Sequence, residues 1–293
     1  MDEMKRKMDD FDLELSTIVG LEELKAQLRK WSKGMIMDEK RRAIGVDLGQ
    51  KKLPHMAFLG NPGTGKTTVA RILGKLLSSI GILSSDKVTE VQRTDLVGQY
   101  IGHTGLKTRD KIKEAKGGIL FVDEAYRLAP ITSGKHVEYG VEALEEIMSA
   151  MEEDDDLLVI FAGYPEPMKR IFSSNEGFCR RVACYFHFDN FSCRELAEML
   201  TIKMSTRERR SRLFGFRLGP CCSVEVVASV IERRTSEKVR NKMNGGLVDH
   251  MLNNAKDNLD SRLDFEAGGD ELFTITLPDL EAGLDQLARL DLD

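Results

Sequence analysis

The feature that most constrains this chain of 293 residues is a glycine-rich loop that ends in a lysine and a threonine. The loop reads Gly60-Asn61-Pro62-Gly63-Thr64-Gly65-Lys66-Thr67 and fits the pattern G-x-x-x-x-G-K-[ST] without deviation. The apolar run Met56–Leu59 precedes it, and helical periodicity follows over Thr68–Ser79. Glycines let backbone N–H groups curl around phosphate oxygens, and the N-terminus of the following helix adds partial positive charge. The pattern therefore predicts a nucleotide site in which Lys66 faces the β- and γ-phosphates and Thr67 offers a hydroxyl ligand to Mg²⁺.

A second motif supplies two carboxylates at the end of an apolar run. The run Ile119-Leu120-Phe121-Val122 leads directly into Asp123 and Glu124. Beside a phosphate-binding loop, Asp123 can hold the Mg²⁺ shell, and Glu124 can orient or deprotonate the attacking water. The two motifs together predict an enzyme that hydrolyses ATP.

Short apolar runs alternate with helical stretches through the first two thirds of the chain. This alternation is typical of an α/β fold whose parallel sheet is covered on both faces. After residue 191 the pattern becomes helical up to a short strand over Phe273–Leu277 and a closing helix from Pro278. We therefore expect a charged N-terminal arm over residues 1–16, a large α/β nucleotide-binding domain over 17–191 and a small helical domain over 192–293. The five predicted strands are His55–Leu59, Lys87–Val91, Ile119–Val122, Leu157–Ala162 and Tyr185–Phe188.

Composition narrows the class of protein further. The net charge of −5 argues against nucleic-acid binding as the main activity, because neutralising phosphates requires a basic face. The longest purely apolar run, Leu157–Ala162, is far shorter than the roughly 18 residues that a membrane span needs. Five cysteines without a C-x-x-C pair favour a reducing compartment. The N-terminal residues lack a secretory signal pattern, so the cytoplasm is expected, with nucleus and plastid left open.

Taken together, the motifs resemble those of AAA+ ATPases, which combine an α/β P-loop domain with a helical lid. Further segments resemble the CbxX/CfqX family, which includes the red-type Rubisco activase. Two other segments, Cys179–Val182 and Asn244–Asp249, look more like plant members in which this ATPase follows ankyrin repeats. The sequence contains no such repeats, so a fragment and a shorter relative both stay open. The segments similar to the CbxX/CfqX family are Asp95–Thr104, Gly117–Ile119, Asp123–Tyr126, Ala162–Tyr164 and Ser174–Phe178.

The resemblance implies roles for further residues. It extends the nucleotide contacts to Thr68 and places Ile18-Val19-Gly20 against adenine, although a simple helix entry would explain that segment almost as well. It makes Tyr100-Ile101-Gly102 a pore loop that grips a polypeptide, with a buried tyrosine as the alternative. Arg181 matches the arginine finger that reaches the ATP of a neighbouring subunit, and Arg180 competes for that role. The implied assembly is a homo-oligomeric ring acting on a protein client, and Rubisco is a client by resemblance only.

The chain departs from the family pattern where the helical domain should supply a cation to the γ-phosphate. The arginine expected there aligns with Gly246, and a following arginine aligns with Asp249. Either turnover is slowed by the missing charge, or paired glycines impose a backbone conformation that rebuilds the lid, which is the hypothesis we favour from the sequence. The missing charge keeps open a nucleotide-gated scaffold with weak turnover. The basic stretch Arg207–Arg212 gives slight support to a nucleic-acid motor or loader.

Overall fold

A computed structural model describes residues 2–49, 53–100, 102–129, 139–174, 176–205 and 212–288. The chain divides into two compact units. The first unit comprises Met1–Gly60 and Gly65–Phe188, and the second comprises Asn61–Thr64 and Asp189–Asp293. Four residues in the middle of the glycine-rich loop therefore belong with the C-terminal part of the chain.

The first unit is built on a sheet of five parallel strands, which confirms the predicted α/β fold. The strands lie in the order β2-β3-β4-β1-β5. All residues of β1, β3 and β4 are buried, as expected for central parallel strands covered on both faces. Their bounds are β1 His55–Gly60, β2 Val88–Val91, β3 Ile119–Val122, β4 Leu158–Gly163 and β5 Val182–Phe188.

Eight helices accompany this sheet in the described part of the first unit. The charged N-terminal residues form α1, which contacts α3 and buries Phe11 and Leu15. A 3₁₀ turn over Ala125–Leu128 directly follows the two carboxylates. The helix bounds are α1 Asp2–Ser16, α2 Glu22–Ala43, α3 Lys66–Ser79, α4 Arg93–Leu96, α5 His103–Ala115, α6 Tyr139–Glu153, α7 Pro165–Ser174 and α8 Glu176–Arg181.

Apolar side chains on the two faces of the sheet hold the strand ends in place. On one face the rings of Phe58 and Phe121 meet edge to face with their centroids 6.5 Å apart, and Phe188 lies 5.0 Å from Phe58. On the other face, Ala57 and Phe161 belong to a buried cluster that includes apolar residues of α6. Burial of this kind contributes about 25 cal/mol per Å² of apolar surface, so the strands form a rigid support for the loops that follow them.

The second unit is mainly helical, with one small parallel strand pair. The predicted C-terminal strand is reduced to β7, Thr274–Ile275, and it pairs with β6, Arg217–Leu218, which the sequence did not predict. Among the described residues of the whole chain, no helix is both long and apolar enough to cross a membrane. The helices of this unit are α9 Cys193–Ser205, α10 Val224–Arg234, α11 Glu237–Met243, α12 Gly245–Arg262 and α13 Leu277–Ala288.

Candidate active site

The carboxyl ends of β1, β4 and β3 place the candidate catalytic groups at one edge of the sheet. Leu59 of β1 is in register with Gly163 of β4, and Phe161 of β4 with Val122 of β3. Since β4 lies between them, β1 and β3 are two strand spacings, or about 10 Å, apart. A lysine carried by the helix after β1 and a carboxylate that follows β3 can therefore face a shared ligand.

Lys66 is the first residue of α3, directly after Gly65, whose φ of +91° favours glycine. Its ammonium group donates a hydrogen bond to the carbonyl oxygen of Gly60 at 2.9 Å. Burial lowers the pKa of Lys66, whereas the charges of Asp123 and Glu124 raise it. A partly buried cation in the first turn of a helix, directly after a glycine-rich loop, is suited to an anionic ligand such as a phosphate.

Burial shifts the pKa of Asp123 in the direction opposite to that for Lys66. Burial raises its pKa, while the N–H of Glu124 and the charge of Lys66 lower it. The Glu124 N–H donates to Asp123 Oδ1 at 3.0 Å. Thr67, in the first turn of α3, is half-buried in the same unit. A hydroxyl and a partly desolvated carboxylate are oxygen donors of the type that Mg²⁺ prefers, so the residues present fit that ion.

Glu124 is held by the turn that follows it. Its φ of +49° is unusual for a residue with a side chain. Arg127 Nε pairs with Glu124 Oε2 at 2.8 Å, and the hydroxyl of Tyr126 donates to Oε1 at 3.3 Å. The ring of Tyr164, which follows β4, lies 5.5 Å from that of Tyr126. The contact with Arg127 was not predicted from the sequence, although a spacing of three residues within a short turn could have indicated it.

The middle of the glycine-rich loop, residues 61–64, belongs to the second unit. Thr64 is buried, and its hydroxyl donates to the carbonyl oxygen of Asn61 at 2.8 Å. The amide of Asn61 donates to Asn190 Oδ1 at 2.8 Å. Gly63 has a φ of +70°, which a side chain would strain. Pro62 and Thr68, which are also predicted to contact the nucleotide, are both exposed.

The segment predicted to contact adenine is a half-buried turn between α1 and α2. It comprises Ile18, Val19 and Gly20. Gly20 and the buried Leu21 both adopt positive φ angles, of 64° and 57°. The turn connects α1 to α2, and its contact with adenine stays a prediction.

The predicted pore loop presents its aromatic side chain to solvent. Tyr100 is 67% exposed, so the alternative of a buried tyrosine is wrong. Its ring packs edge to face against His103 at 5.5 Å, and Gly102, with a φ of +80°, is the N-cap residue of α5. Ile101 lies outside the described residues. An accessible aromatic ring next to a glycine is suited to contacting a polypeptide, and this role remains a prediction.

Arg181, the predicted arginine finger, is engaged within the first unit. Its guanidinium pairs with Glu152 of α6 and donates to the carbonyl oxygen of Gly177 at 2.9 Å. Its buried Nε finds no hydrogen-bond partner among the described residues. Arg180 is exposed. The choice of finger between these two arginines therefore stays a prediction.

At Gly246 the structure contradicts the hypothesis that its backbone suits only glycine. Its φ is not positive, and a Cβ built there would meet no described atom within 4 Å. The restricted glycine is Gly245, where a Cβ would lie 2.9 Å from the carbonyl oxygen of Gly63. Asp249, at the second missing arginine, forms an ion pair with Lys203. A larger side chain therefore fits at Gly246.

Comparison with known proteins agrees with this geometry. Residues 56–182 match the family model "ATPase family associated with various cellular activities (AAA)", and residues 190–288 match a domain of unknown function, DUF8495. Stage V sporulation protein K of Bacillus subtilis is 40% identical over 69% of this chain and 62% of its own length. Protein CbxX, chromosomal, of Cupriavidus necator is 42% identical over 66% of this chain and 60% of its own length.

A longer match is the chloroplastic ribulose bisphosphate carboxylase/oxygenase activase of Cyanidioschyzon merolae. It is 34% identical over 93% of this chain and 88% of its own length. The chain therefore belongs to the AAA ATPase family that contains CbxX and this activase, which confirms the resemblance found in the sequence. In the alignments of higher identity, with the sporulation protein and with CbxX, it spans less than two thirds of their length.

Proposed function

We propose that the chain binds ATP together with Mg²⁺ and hydrolyses it. The observation that supports this most directly is the placement of Lys66 at the start of α3, after β1, and of Asp123 and Glu124 directly after β3, at the same edge of the sheet. Burial disfavours the charged forms of Lys66 and Asp123, and a bound phosphate and a divalent cation would compensate both. Membership of the AAA ATPase family supports the same reaction.

Each group then has a defined task. Lys66 opposes the charge on the β- and γ-phosphates, and Thr67 and Asp123 would hold Mg²⁺. When bound, that ion would neutralise charge developing on the phosphoryl oxygens. Glu124 orients the attacking water and accepts its proton, and its contact with Arg127 competes with the water for the same carboxylate. Arg181 of a neighbouring subunit would stabilise the transferred phosphoryl group in trans.

We further propose that hydrolysis drives remodelling of a protein client by a ring of identical subunits. The exposed Tyr100 supports this, because an accessible aromatic ring beside Gly102 can contact many sequences. One relative is named an activase of ribulose bisphosphate carboxylase/oxygenase, which makes that enzyme a candidate client by family only. The cytoplasm is the proposed compartment, with nucleus and plastid as the alternatives.

A second candidate is a nucleotide-gated scaffold that turns ATP over slowly. Two observations favour it: the ion pair that occupies Glu124, and the absence of a cation at Gly246. Both proposals include ATP binding. They differ in the rate of ATP hydrolysis and in whether a protein client is remodelled. A nucleic-acid motor has less support, because the net charge is −5. Most of the basic stretch 207–212 lies outside the described residues.

Phosphate release by the purified chain, with and without Mg²⁺, tests hydrolysis directly. We expect release that a chelator abolishes and that rises more steeply than protein concentration, because the finger acts between subunits. Arg181→Ala should depress turnover, and mixing it with Lys66→Ala subunits should partly restore activity. Rescue is expected because some interfaces then join an intact nucleotide site to an intact Arg181. A rate per subunit that is independent of concentration, without rescue, would contradict the ring.

A further inference from the structure

Asn244, between α11 and α12, combines deep burial with an unusual backbone conformation. Its exposure is 0%, and its φ of 47° and ψ of −126° resemble the first central position of a type II′ turn. Its N–H donates to the carbonyl oxygen of Arg240 at 2.7 Å, and its own carbonyl accepts from Leu247 at 2.9 Å. A residue with a strained backbone keeps this conformation only when the surrounding contacts hold it there.

The side chain of Asn244 contacts the middle of the glycine-rich loop. Its amide nitrogen lies 3.1 Å from the carbonyl oxygen of Pro62, 3.1 Å from Asn190 Oδ1 and 2.9 Å from the carbonyl oxygen of Asn241. Its Oδ1 accepts from the N–H of Phe191 at 3.1 Å. Three oxygens around the nitrogen and one N–H at the oxygen fix the orientation of the amide. All these partners belong to the second unit.

The backbone beside Asn244 also contacts the loop. The N–H of Gly245 donates to the carbonyl oxygen of Gly63 at 3.0 Å. A Cβ on Gly63 would collide with the carbonyl oxygen of Met243 and would lie 3.2 Å from the N–H groups of Gly245 and Gly246. The loop and the start of α12 thus lie in direct backbone contact, and the side chain of Asn244 adds a hydrogen bond to the carbonyl oxygen of Pro62.

We propose that Asn244 is a positioning residue for the phosphate-binding loop, whose segment 61–64 it holds in the shape that receives phosphate. The inference rests on the proposed nucleotide function of that loop. Backbone N–H groups bind phosphate oxygens only while the loop keeps its curvature. Asn244 holds the carbonyl of Pro62 in the middle of that segment. The backbone N–H groups of such a loop cradle the α- and β-phosphates, which ATP and ADP share, so the binding of both nucleotides should depend on Asn244.

Two substitutions separate this role from a backbone role. Asn244→Gly removes the amide and relieves the strain, because glycine adopts this φ readily. Asn244→Asp keeps the size and shape of the side chain but places a carboxylate oxygen where the amide nitrogen faces three oxygens. If Asn244 serves only the turn, the glycine variant should bind nucleotide like the parent. If it positions the loop, affinity should fall in the order parent, glycine variant, aspartate variant.

The control is Asn254→Ala in the same unit. The amide of Asn254 donates to the carbonyl oxygen of Gly283 at 2.9 Å, so its loss also removes a hydrogen bond from a helix of this unit. We expect this variant to lose thermal stability while keeping nucleotide affinity within about twofold of the parent. The experiment uses the full chain with ATP and ADP as separate ligands.

Two measurements decide the proposal. For Asn244→Gly we expect dissociation constants for ATP and ADP about tenfold higher, as for the loss of one or two neutral hydrogen bonds. Without nucleotide, hydrogen exchange in peptides covering 61–64 should be about tenfold faster than in Asn254→Ala. Parental affinity and parental exchange in Asn244→Gly would overturn the proposal. If the parent binds no nucleotide, the proposed function fails, and exchange at 61–64 alone decides whether Asn244 positions the loop.

Discussion

The two glycines that begin α12 should respond in opposite ways to the same substitution. In Gly245→Ala the new methyl group would lie 2.9 Å from the carbonyl oxygen of Gly63 and 3.0 Å from Met199 Cε. The end of the methionine can move, but the backbone carbonyl accepts the Gly245 N–H at 3.0 Å and cannot move without loss of that bond. Overpacking of this kind costs about 1–3 kcal/mol.

In Gly246→Ala the same methyl group enters open space among the described atoms. Replacing a helical glycine with alanine stabilises by about 0.5–1 kcal/mol, because the unfolded chain loses freedom. With about 4 °C per kcal/mol for a unit of this size, Tm should fall by about 4–12 °C in Gly245→Ala and rise by about 2–4 °C in Gly246→Ala. Scanning calorimetry of the parent and both variants measures the difference.

The informative third variant is Gly246→Arg, which restores the cation of the family pattern. A cation near a helix N-terminus costs about 0.3–1 kcal/mol, which roughly cancels the gain from replacing glycine. Stability should therefore stay near the parental value. If the resemblance places this arginine correctly, a charge-assisted contact of about 1.5–3 kcal/mol would raise turnover about ten- to a hundredfold. A Gly246→Ala variant as unstable as Gly245→Ala would refute the reasoning.

Three further predictions concern the first unit. Arg127→Gln should raise steady-state ATP turnover about 1.5- to fivefold, because it removes a partly exposed ion pair with Glu124 worth about 0.2–1 kcal/mol. Slower turnover would contradict this and would mean that Arg127 helps to position Glu124. Tyr100→Ala should keep basal ATPase activity and lose client remodelling, followed as ATP-dependent loss of the client's folded signal; normal remodelling by a folded variant would exclude a gripping role. Burial lowers the pKa of His55, so the folded state favours the neutral imidazole. Stability is therefore complete above a pH of about 6.5, the ordinary pKa of histidine, and is lost as the pH falls from there toward the lowered pKa of the folded state. Urea unfolding should show a slope of up to about 1.4 kcal/mol per pH unit below that point that His55→Gln lacks, and an unchanged slope in the variant would disprove the assignment.

The sheet could be predicted from the sequence because central parallel strands are continuous apolar runs. β3 was predicted with the observed bounds, and β1 and β4 with small shifts at their ends. The start of β5 was placed three residues late, because Val182–Phe188 alternates buried and exposed residues. β6 was missed because two residues carry no periodicity.

The candidate site was predictable where its residues are neighbours in the sequence. The glycine-rich loop and the Asp123-Glu124 pair were identified from their motifs together with the apolar runs that precede them, because both features are local in the sequence. The role of Asn244 could not be predicted, since its partner Pro62 lies 182 residues away. The structure also corrects the hypothesis for Gly246, because a glycine pair in a sequence does not reveal which member is restricted.

The proposed mechanism assigns separate roles to two residues: Lys66 binds phosphate, and Glu124 activates water. The most direct test measures ATP affinity and single-turnover hydrolysis for the parent, Lys66→Ala and Glu124→Gln. Lys66→Ala should lose binding, because the charge opposing the phosphates is gone. Glu124→Gln should bind ATP like the parent and hydrolyse it at least about a hundredfold more slowly. Hydrolysis at the parental rate by Glu124→Gln would contradict the proposed mechanism.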